Sequence, residues 1–345
     1  VRRAFGVATG QDTCGWSSRI QAGFRRHSPD WEFRFTAATI RYQAYPRDLP
    51  FKRPLVRDQY QAADVIQLRN TLHGWHYFDE GAGKPTVVLY HGTNYRAHHA
   101  ELRAEAERVG VVQIVSTLDL ILLEGDTMWV GSPYSLDELR AIRAASYRPS
   151  DAIRIAHAPT DRKIKGTELF LAVFDRLKKR HKIELVLIEN RTWAECLRRK
   201  ATADIFYDQL DLGYGGNAVE AWGMGIPVIA GVASQTVRRA MRRQWGQLPF
   251  PQTTPESLER RLEALITSEA TRREWAQAGS EHFARFHDER IVVPQLAAIY
   301  DSAKPTNPGP VRLRSRDQQR ERFRLALAAR DRARAYRAAM SVARP

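Results

Sequence analysis

Residues 213–231 read GYGGNAVEAWGMGIPVIAG. Gly213, Gly215 and Gly216 fall within four positions, Asn217 follows, and a single carboxylate, Glu220, stands in apolar company. A glycine-rich turn that opens a helix leaves backbone N–H groups without partners and turns the positive end of the helix dipole outward, which makes an anion site. Glycine also lets the backbone approach a ligand closely. Glu220, one turn further in, faces something other than the anion and suits two hydroxyls, as a ribose supplies. The stretch HAPTDRKIKGTELF from His157 adds Arg162 and Lys165 just ahead of a helix expected from Thr167. Two cations and a helix N-terminus converging on one place suit a diphosphate. A third polar loop, IENRTW, follows a strand ending at Ile188.

These loops need strands to place them. Short β-branched runs alternate with longer amphipathic segments along the chain, the pattern of parallel sheets with helical crossovers. Strands are expected at Arg3–Thr9, Trp31–Phe35, Asp64–Leu68, Thr86–His91 and Val111–Ser116, with a pair around Leu118–Val130. Helices are expected at Ser17–Arg26 and Arg96–Val109. A Pro-Ser turn in SYRPSDAIRIAH marks a boundary near Tyr147–Asp151. Beyond it the order strand, helix, strand resumes: Ile153–His157, Thr167–Lys179, Ile183–Ile188, Thr192–Arg199, Ala203–Phe206, Asn217–Trp222 and Pro227–Ala230. Helices around Pro255–Ile266 and Glu269–Phe286 close the second unit. The expected fold class is therefore α/β, with a Rossmann-like unit over 1–148, a second over 149–300 and a basic helical tail over 301–345. Ligands in open α/β sheets bind at the carboxyl ends of the strands, so the expected site is the cleft between the units.

The chain has 345 residues, 43% of them hydrophobic, enough for two buried cores. Its two cysteines, Cys14 and Cys196, have no metal or CxxC spacing and argue for a reducing compartment. The longest apolar stretch, from Val111, is interrupted by Asp119 and falls short of a bilayer span. With no export signal ahead of the first apolar run, a cytoplasmic protein is expected. The net charge is +15, and residues 311–345 carry +8 of it through eleven arginines. Such a tail fits either contact with a nucleic acid or another anionic surface, or a solubilising extension.

The run from HAPTDRKIKGTE through ADIFYDQLDLGYGGNAVEAWGMGIPVIAG resembles the donor-binding domain of retaining glycosyltransferases of family 4 (glycosyl transferases group 1), which have the GT-B fold. The resemblance extends to KPTVVLYHGTNYRAHHAEL and IVSTLDLILLEG in the first half. It implies transfer of a sugar from a nucleotide-diphosphate donor with retention, with Arg162 and Lys165 on the diphosphate and Glu220 on the ribose. It also implies His91, after the strand TVVLY, facing the donor sugar, and Gly15, in TGQDTCGWSS, approaching the phosphate. Gly215, Gly216 and Asn217 complete the donor loop. No resident cofactor or metal is implied, because cations neutralise the leaving diphosphate. The family signature Glu-x7-Glu is broken: the position eight before Glu220 is Leu212, and Asp208 and Asp211 are out of register. The sugar contact that the resemblance implies for that first acid does not carry over, which leaves a different donor sugar, a substitute from the backbone of Gly215 to Asn217, or an impaired enzyme.

Blander readings stand beside these. A lone Glu in a helix is usually solvated, and a histidine at a strand end is often satisfied locally. EGAGKPT, from Glu80, fails as a phosphate loop because Pro85 follows Lys84 where Ser or Thr belongs. His91, His98 and His99 lack a partner carboxylate at metal-ligand spacing. A nucleotide-sugar epimerase of the same fold and a silent binder of nucleotide sugars or polyanions are the alternatives to a transferase. The acceptor stays open, with modified DNA or a protein both admitted by the charge.

Overall fold

The computed structural model describes residues 1–39, 41–72, 83–123 and 127–306. The basic tail beyond residue 306 lies outside the described residues. Two parallel sheets organise the rest. The first runs in the order β2-β1-β3-β4-β5-β6, built from β1 (Arg2–Gln11), β2 (Trp31–Thr39), β3 (Val65–Arg69), β4 (Thr86–Tyr90), β5 (Val112–Val115) and β6 (Thr127–Trp129). The second comprises β7 (Ile153–His157), β8 (Ile183–Leu187), β9 (Ile205–Tyr207) and β11 (Val228–Ile229), in the order β11-β9-β7-β8. Beside it a short antiparallel pair joins β10 (Leu212–Gly213) to β12 (Gly231–Val232).

Central strands read as unbroken apolar runs because helices cover both faces of a parallel sheet. Every residue of β3 (VIQLR) and β4 (TVVLY) is buried. The expected strands match closely, with one correction: Leu118–Leu122 forms a 3-10 turn, so among the described residues the pair around Leu118–Val130 reduces to β6. Leu118 and Leu120 are buried there, and Asp119 is held by Arg96 at 2.6 Å; the in–out alternation of this short run is the same as a strand's, which is why it read as one.

Helices α1 (Trp16–His27), α2 (Arg53–Ala62) and α3 (Gly92–Val109) flank the first sheet. The second carries α4 (Leu136–Ser146), α5 (Thr167–Lys178), α6 (Trp193–Lys200), α7 (Gly216–Gly223), α8 (Gln235–Trp245), α9 (Leu258–Thr267) and α10 (Glu269–Phe286). A last helix, α11 (Glu289–Ser302), returns to the first unit. Its Val292, Val293, Leu296 and Tyr300 share a core with Phe24, Trp31 and Phe33. At its start, Arg26 and His27 of α1 clasp Glu289. In exchange α4, which precedes residue 149, lends Leu139 to the core of the second unit.

The chain thus crosses between units twice, and the two crossings pair. The Tyr134 N–H donates to the His287 carbonyl (2.8 Å), and the Glu289 N–H donates to the Tyr134 carbonyl (3.0 Å). Gly131 makes this approach possible, since a Cβ there would lie 1.7 Å from the Phe286 carbonyl oxygen.

Candidate functional site

In each sheet the strand order reverses beside its first strand, between β1 and β3 and between β7 and β9. Crevices open at such switch points, and a buried ion pair marks each one. In the first unit Asp12 follows β1 and Arg69 ends β3, with 3.3 Å between them. In the second, Lys165 from the loop after β7 pairs with Asp208 after β9.

Asp12 also starts α1. Its carboxylate accepts the N–H groups of Ser17 (2.9 Å) and Ser18 (3.3 Å). The turn between needs left-handed backbone at Cys14 (φ 56°) and Gly15 (φ 65°). Gly15 is required there for a second reason: a Cβ would meet the Tyr45 ring at 2.4 Å. The Tyr45 loop bridges the units, with the Trp193 N–H donating to the Gln43 carbonyl (2.7 Å) and the two rings 5.7 Å apart.

His91 follows β4 and is buried, packed edge-on to Trp16. Its Nε2 accepts from Arg69 (3.1 Å), so Nδ1 carries the proton and donates to Ser116 Oγ (3.0 Å). Burial, reinforced by Arg69, holds its pKa well below the usual histidine range. This imidazole is neutral, with both nitrogens satisfied by side chains.

The glycine loop is pinned from three sides. Asp208 accepts the Gly215 N–H (2.7 Å), and the Ala218 and Val219 N–H groups return to the Gly215 carbonyl. A Cβ on Gly215 would lie 3.3 Å from Lys165 Nζ, which places that ammonium at the start of α7. A Cβ on Gly216 would lie 2.8 Å from the hydroxyl of Tyr134, which arrives from the crossing segment. Below, the Tyr214 hydroxyl lies 3.0 Å from His282 and donates to His287 (2.8 Å), whose Nδ1–H donates to the Ser132 carbonyl (3.1 Å). Burial depresses His287 to about 3.

Glu220 is buried on α7. Trp193 Nε1 donates to Oε1 (2.8 Å) and Lys200 donates to Oε2. Lys200 is fully buried and also bonds Asn217 Oδ1 (2.7 Å) and the Asn217 carbonyl (3.2 Å), while Asn217 Nδ2 donates to the Ala158 carbonyl (2.9 Å). A carboxylate has about four lone-pair sites, so two protein donors leave Glu220 capacity for two more.

The expected basic pair divides. Lys165 joins Gly215 and Asp208 inside the cleft, and its three-donor ammonium keeps donors beyond the one given to Asp208. Arg162 lies outside that cluster, where its Nε bonds Glu168 (2.8 Å) and its Nη1 bonds both oxygens of Glu189 (2.9 Å). Its guanidinium is partly exposed, and these bonds raise its pKa. Lys165 is further steadied by the Tyr207 hydroxyl on its carbonyl (3.1 Å). Beside it His157 donates to the Tyr207 carbonyl and accepts from Thr167, and burial pulls its pKa down to about 4.

Leu212, eight positions before Glu220, sits in β10 opposite Val232. Asp208 is engaged after all, with Lys165 and Gly215. Sequence reasoning missed Arg69, Lys200, Trp193 and Tyr134. Only Arg69 carried a local signal, as a charge closing an apolar strand. A surface hollow lined by Arg3, Glu32 and Arg34 lies at the opposite, amino-terminal end of the first sheet. Among the described residues no helix is long and apolar enough to cross a membrane.

No family model and no curated protein matches the chain. Solved structures do. An alpha-glucosyltransferase in complex with UDP and a 13-mer DNA containing a central A:G mismatch aligns with a TM-score of 0.60 at 11% identity, over 87% of this chain and 100% of that one. Sucrose-phosphate synthase from Thermosynechococcus elongatus aligns at 0.59 and 13% identity, covering 87% and 98%. HepE from Anabaena, in complex with UDP and glucose, aligns at 0.58 and 13%, covering 87% and 99%. Superposition over 87% of this chain at such low identity speaks for shared architecture, and the chain has the GT-B fold, two Rossmann-like α/β units facing a cleft.

Proposed function

We propose that the protein is a glycosyltransferase that moves a sugar from a nucleotide-diphosphate sugar to a hydroxyl acceptor. The observation that carries this reading is the meeting of Lys165 Nζ with the glycine-lined start of α7, while Glu220 stands behind them on the same helix. Cation, helix dipole and carboxylate are then ordered as diphosphate and ribose require. The solved neighbours with UDP in the same fold support a nucleotide donor.

In this reading Lys165 and the N–H groups of Gly216 and Asn217 take the diphosphate, the Gly15 turn approaches it from the other unit, and Arg162 joins by exchanging Glu189 for phosphate. Glu220 accepts the ribose hydroxyls with its remaining lone pairs. The bond from the anomeric carbon to the diphosphate oxygen breaks and its electron pair stays on the phosphate, where the cations stabilise it. A missing donor of this kind raises a barrier by about 3–4 kcal/mol. The acceptor oxygen bonds to the anomeric carbon on the same face, giving retention, and its proton passes to the leaving phosphate. His91, neutral, would reach the sugar by exchanging its bond to Arg69 or Ser116 for one to a sugar hydroxyl, and does not act as a base. No metal is needed.

Incubation with a panel of nucleotide sugars and cell fractions tests this. Released nucleoside diphosphate with a hexose-modified acceptor is expected. An isomerised donor would indicate an epimerase, and absence of turnover a binding protein. The alpha-glucosyltransferase neighbour was solved with DNA, and we extend that to a DNA acceptor here. Its test is a steep fall of DNA affinity with salt that becomes shallower when residues 311–345 are deleted; salt-insensitive modification would count against it.

A further inference from the structure

Arg19 lies in the first turn of α1, four residues beyond the left-handed Gly15 turn, and is 7% exposed. Its Nε, Nη1 and Nη2 have no hydrogen-bond partner among the described residues. The other buried cations around the cleft are provided for: Arg69 bonds Asp12, Ser17 and His91, Lys165 bonds Asp208, and Lys200 bonds Glu220 and Asn217. Glu220, bonded by Trp193 and Lys200, forms no hydrogen bond with Arg19.

The guanidinium stacks over the Tyr134 ring, 3.9 Å from its centroid. The same Tyr134 hydroxyl lies 3.4 Å from the Gly216 carbonyl oxygen. One aromatic ring therefore separates Arg19 from the start of α7. Tyr134 reaches the start of α7 at Gly216, and Lys165 Nζ lies beside the neighbouring Gly215, which sets Arg19 and Lys165 near one helix start from opposite units. A buried guanidinium without an anion is costly, and its planar fork matches the paired oxygens of phosphate or carboxylate.

We propose that Arg19 is an oxyanion-binding residue of the cleft, supplied by the first unit, that pairs with a negatively charged group of the bound donor. The proposal rests on the nucleotide-sugar reading above. The anion is either the donor diphosphate or a carboxylate on a uronic-acid sugar. On either source the donor is gripped from both units, so charge neutralisation depends on the two units facing each other.

The test compares wild type with Arg19→Met and Arg19→Lys in calorimetric titrations of uridine, UDP, inorganic pyrophosphate, UDP-glucose and UDP-glucuronate, alongside thermal unfolding. A tenfold or greater loss of UDP and pyrophosphate affinity in Arg19→Met, with uridine unaffected, identifies the diphosphate. Unchanged UDP binding with a tenfold loss confined to UDP-glucuronate identifies the sugar carboxylate. Arg19→Lys restores part of the affinity in either case. The variant is also expected to melt no lower than wild type without ligand, because an unpaired buried charge has been removed. Equal affinities for every ligand, or a large drop in melting temperature with binding unchanged, would overturn the proposal and leave the nucleotide reading standing. A wild type that binds none of the five ligands would sink both.

Discussion

The Glu220–Lys200 pair decides much at the level of single residues. Taking both charges out of water costs several kcal/mol per ion, offset here by their attraction and by Trp193 and Asn217. Removing one partner strands the other. Glu220→Gln or Lys200→Met alone should each lower unfolding free energy by about 3–5 kcal/mol, and the double variant by clearly less than their sum. Urea unfolding of the four proteins measures this coupling, and additive losses would mean that the pair does not act as a unit. Arg69 and His91 make a comparable cluster in the first unit. It explains why a histidine at a strand end is neutral: the guanidinium occupies Nε2, and burial disfavours a second charge.

Glycine governs what the elements do. Gly216 opens α7 against the Tyr134 hydroxyl, and Gly131 lets the two crossing segments touch. Adding a methyl at either position meets an atom inside normal contact. At Gly131 that atom is backbone, which moves only with the crossing itself. Gly131→Ala is expected to destabilise by at least about 1–3 kcal/mol and to weaken UDP binding, since Tyr134 and the start of α7 shift with it. Gly216→Ala should cost less in melting temperature, because a tyrosine side chain can swing, but more in nucleotide affinity relative to stability. Thermal melts paired with UDP titrations separate the two, and an unaffected melting temperature in Gly131→Ala would show that the crossing tolerates separation. The helix starts tell a related story: α4, α6, α8 and α10 begin on Ser or Thr caps, whereas α5 and α7, which face the cleft, begin on glycine without a side-chain cap. Their first-turn donors are left to other partners.

At the scale of the whole molecule, the four buried histidines among the described residues make stability respond to acid. His91, His157, His282 and His287 all have pKa values depressed by burial, His157 to about 4 and His287 to about 3. A depressed pKa means that the folded chain holds the proton less tightly than the unfolded chain. Stability is therefore full above the ordinary value of about 6.5 and falls as pH drops below it, levelling only beneath the folded pKa of each group. Each group contributes up to about 1.4 kcal/mol per pH unit in that window. Denaturant unfolding between pH 7 and pH 5 should show progressive loss, and His157→Asn should make the slope shallower by about one proton. A pH-independent stability over that range would contradict the placement of these rings.

Much of this architecture was legible along the chain. Alternating apolar runs revealed nearly every strand, since parallel strands buried on two faces need continuous β-branched sequence. That the glycine loop opens a helix carrying Glu220, and that Lys165 stands ahead of another, was legible because each strand-end loop and its helix lie within one local segment. Leu118–Leu122 misled, since a short apolar run has no period that separates a strand from a 3-10 turn. Other features were decided only by the tertiary structure. Strand order brings Lys165 to Asp208 and Arg69 to His91, pairings between loops of different strands. Arg162, a sequence neighbour of Lys165, is drawn away by Glu189 on the loop after β8. The return of α11 to the first unit depends on which core leaves a face for Val292, Leu296 and Tyr300. Local pattern determines what an element is and which residues its loops carry. Which charges end up paired, and which is left alone as Arg19 is, follows from the three-dimensional order of strands and crossings, because Coulomb and desolvation energies depend on distance and burial and not on sequence separation.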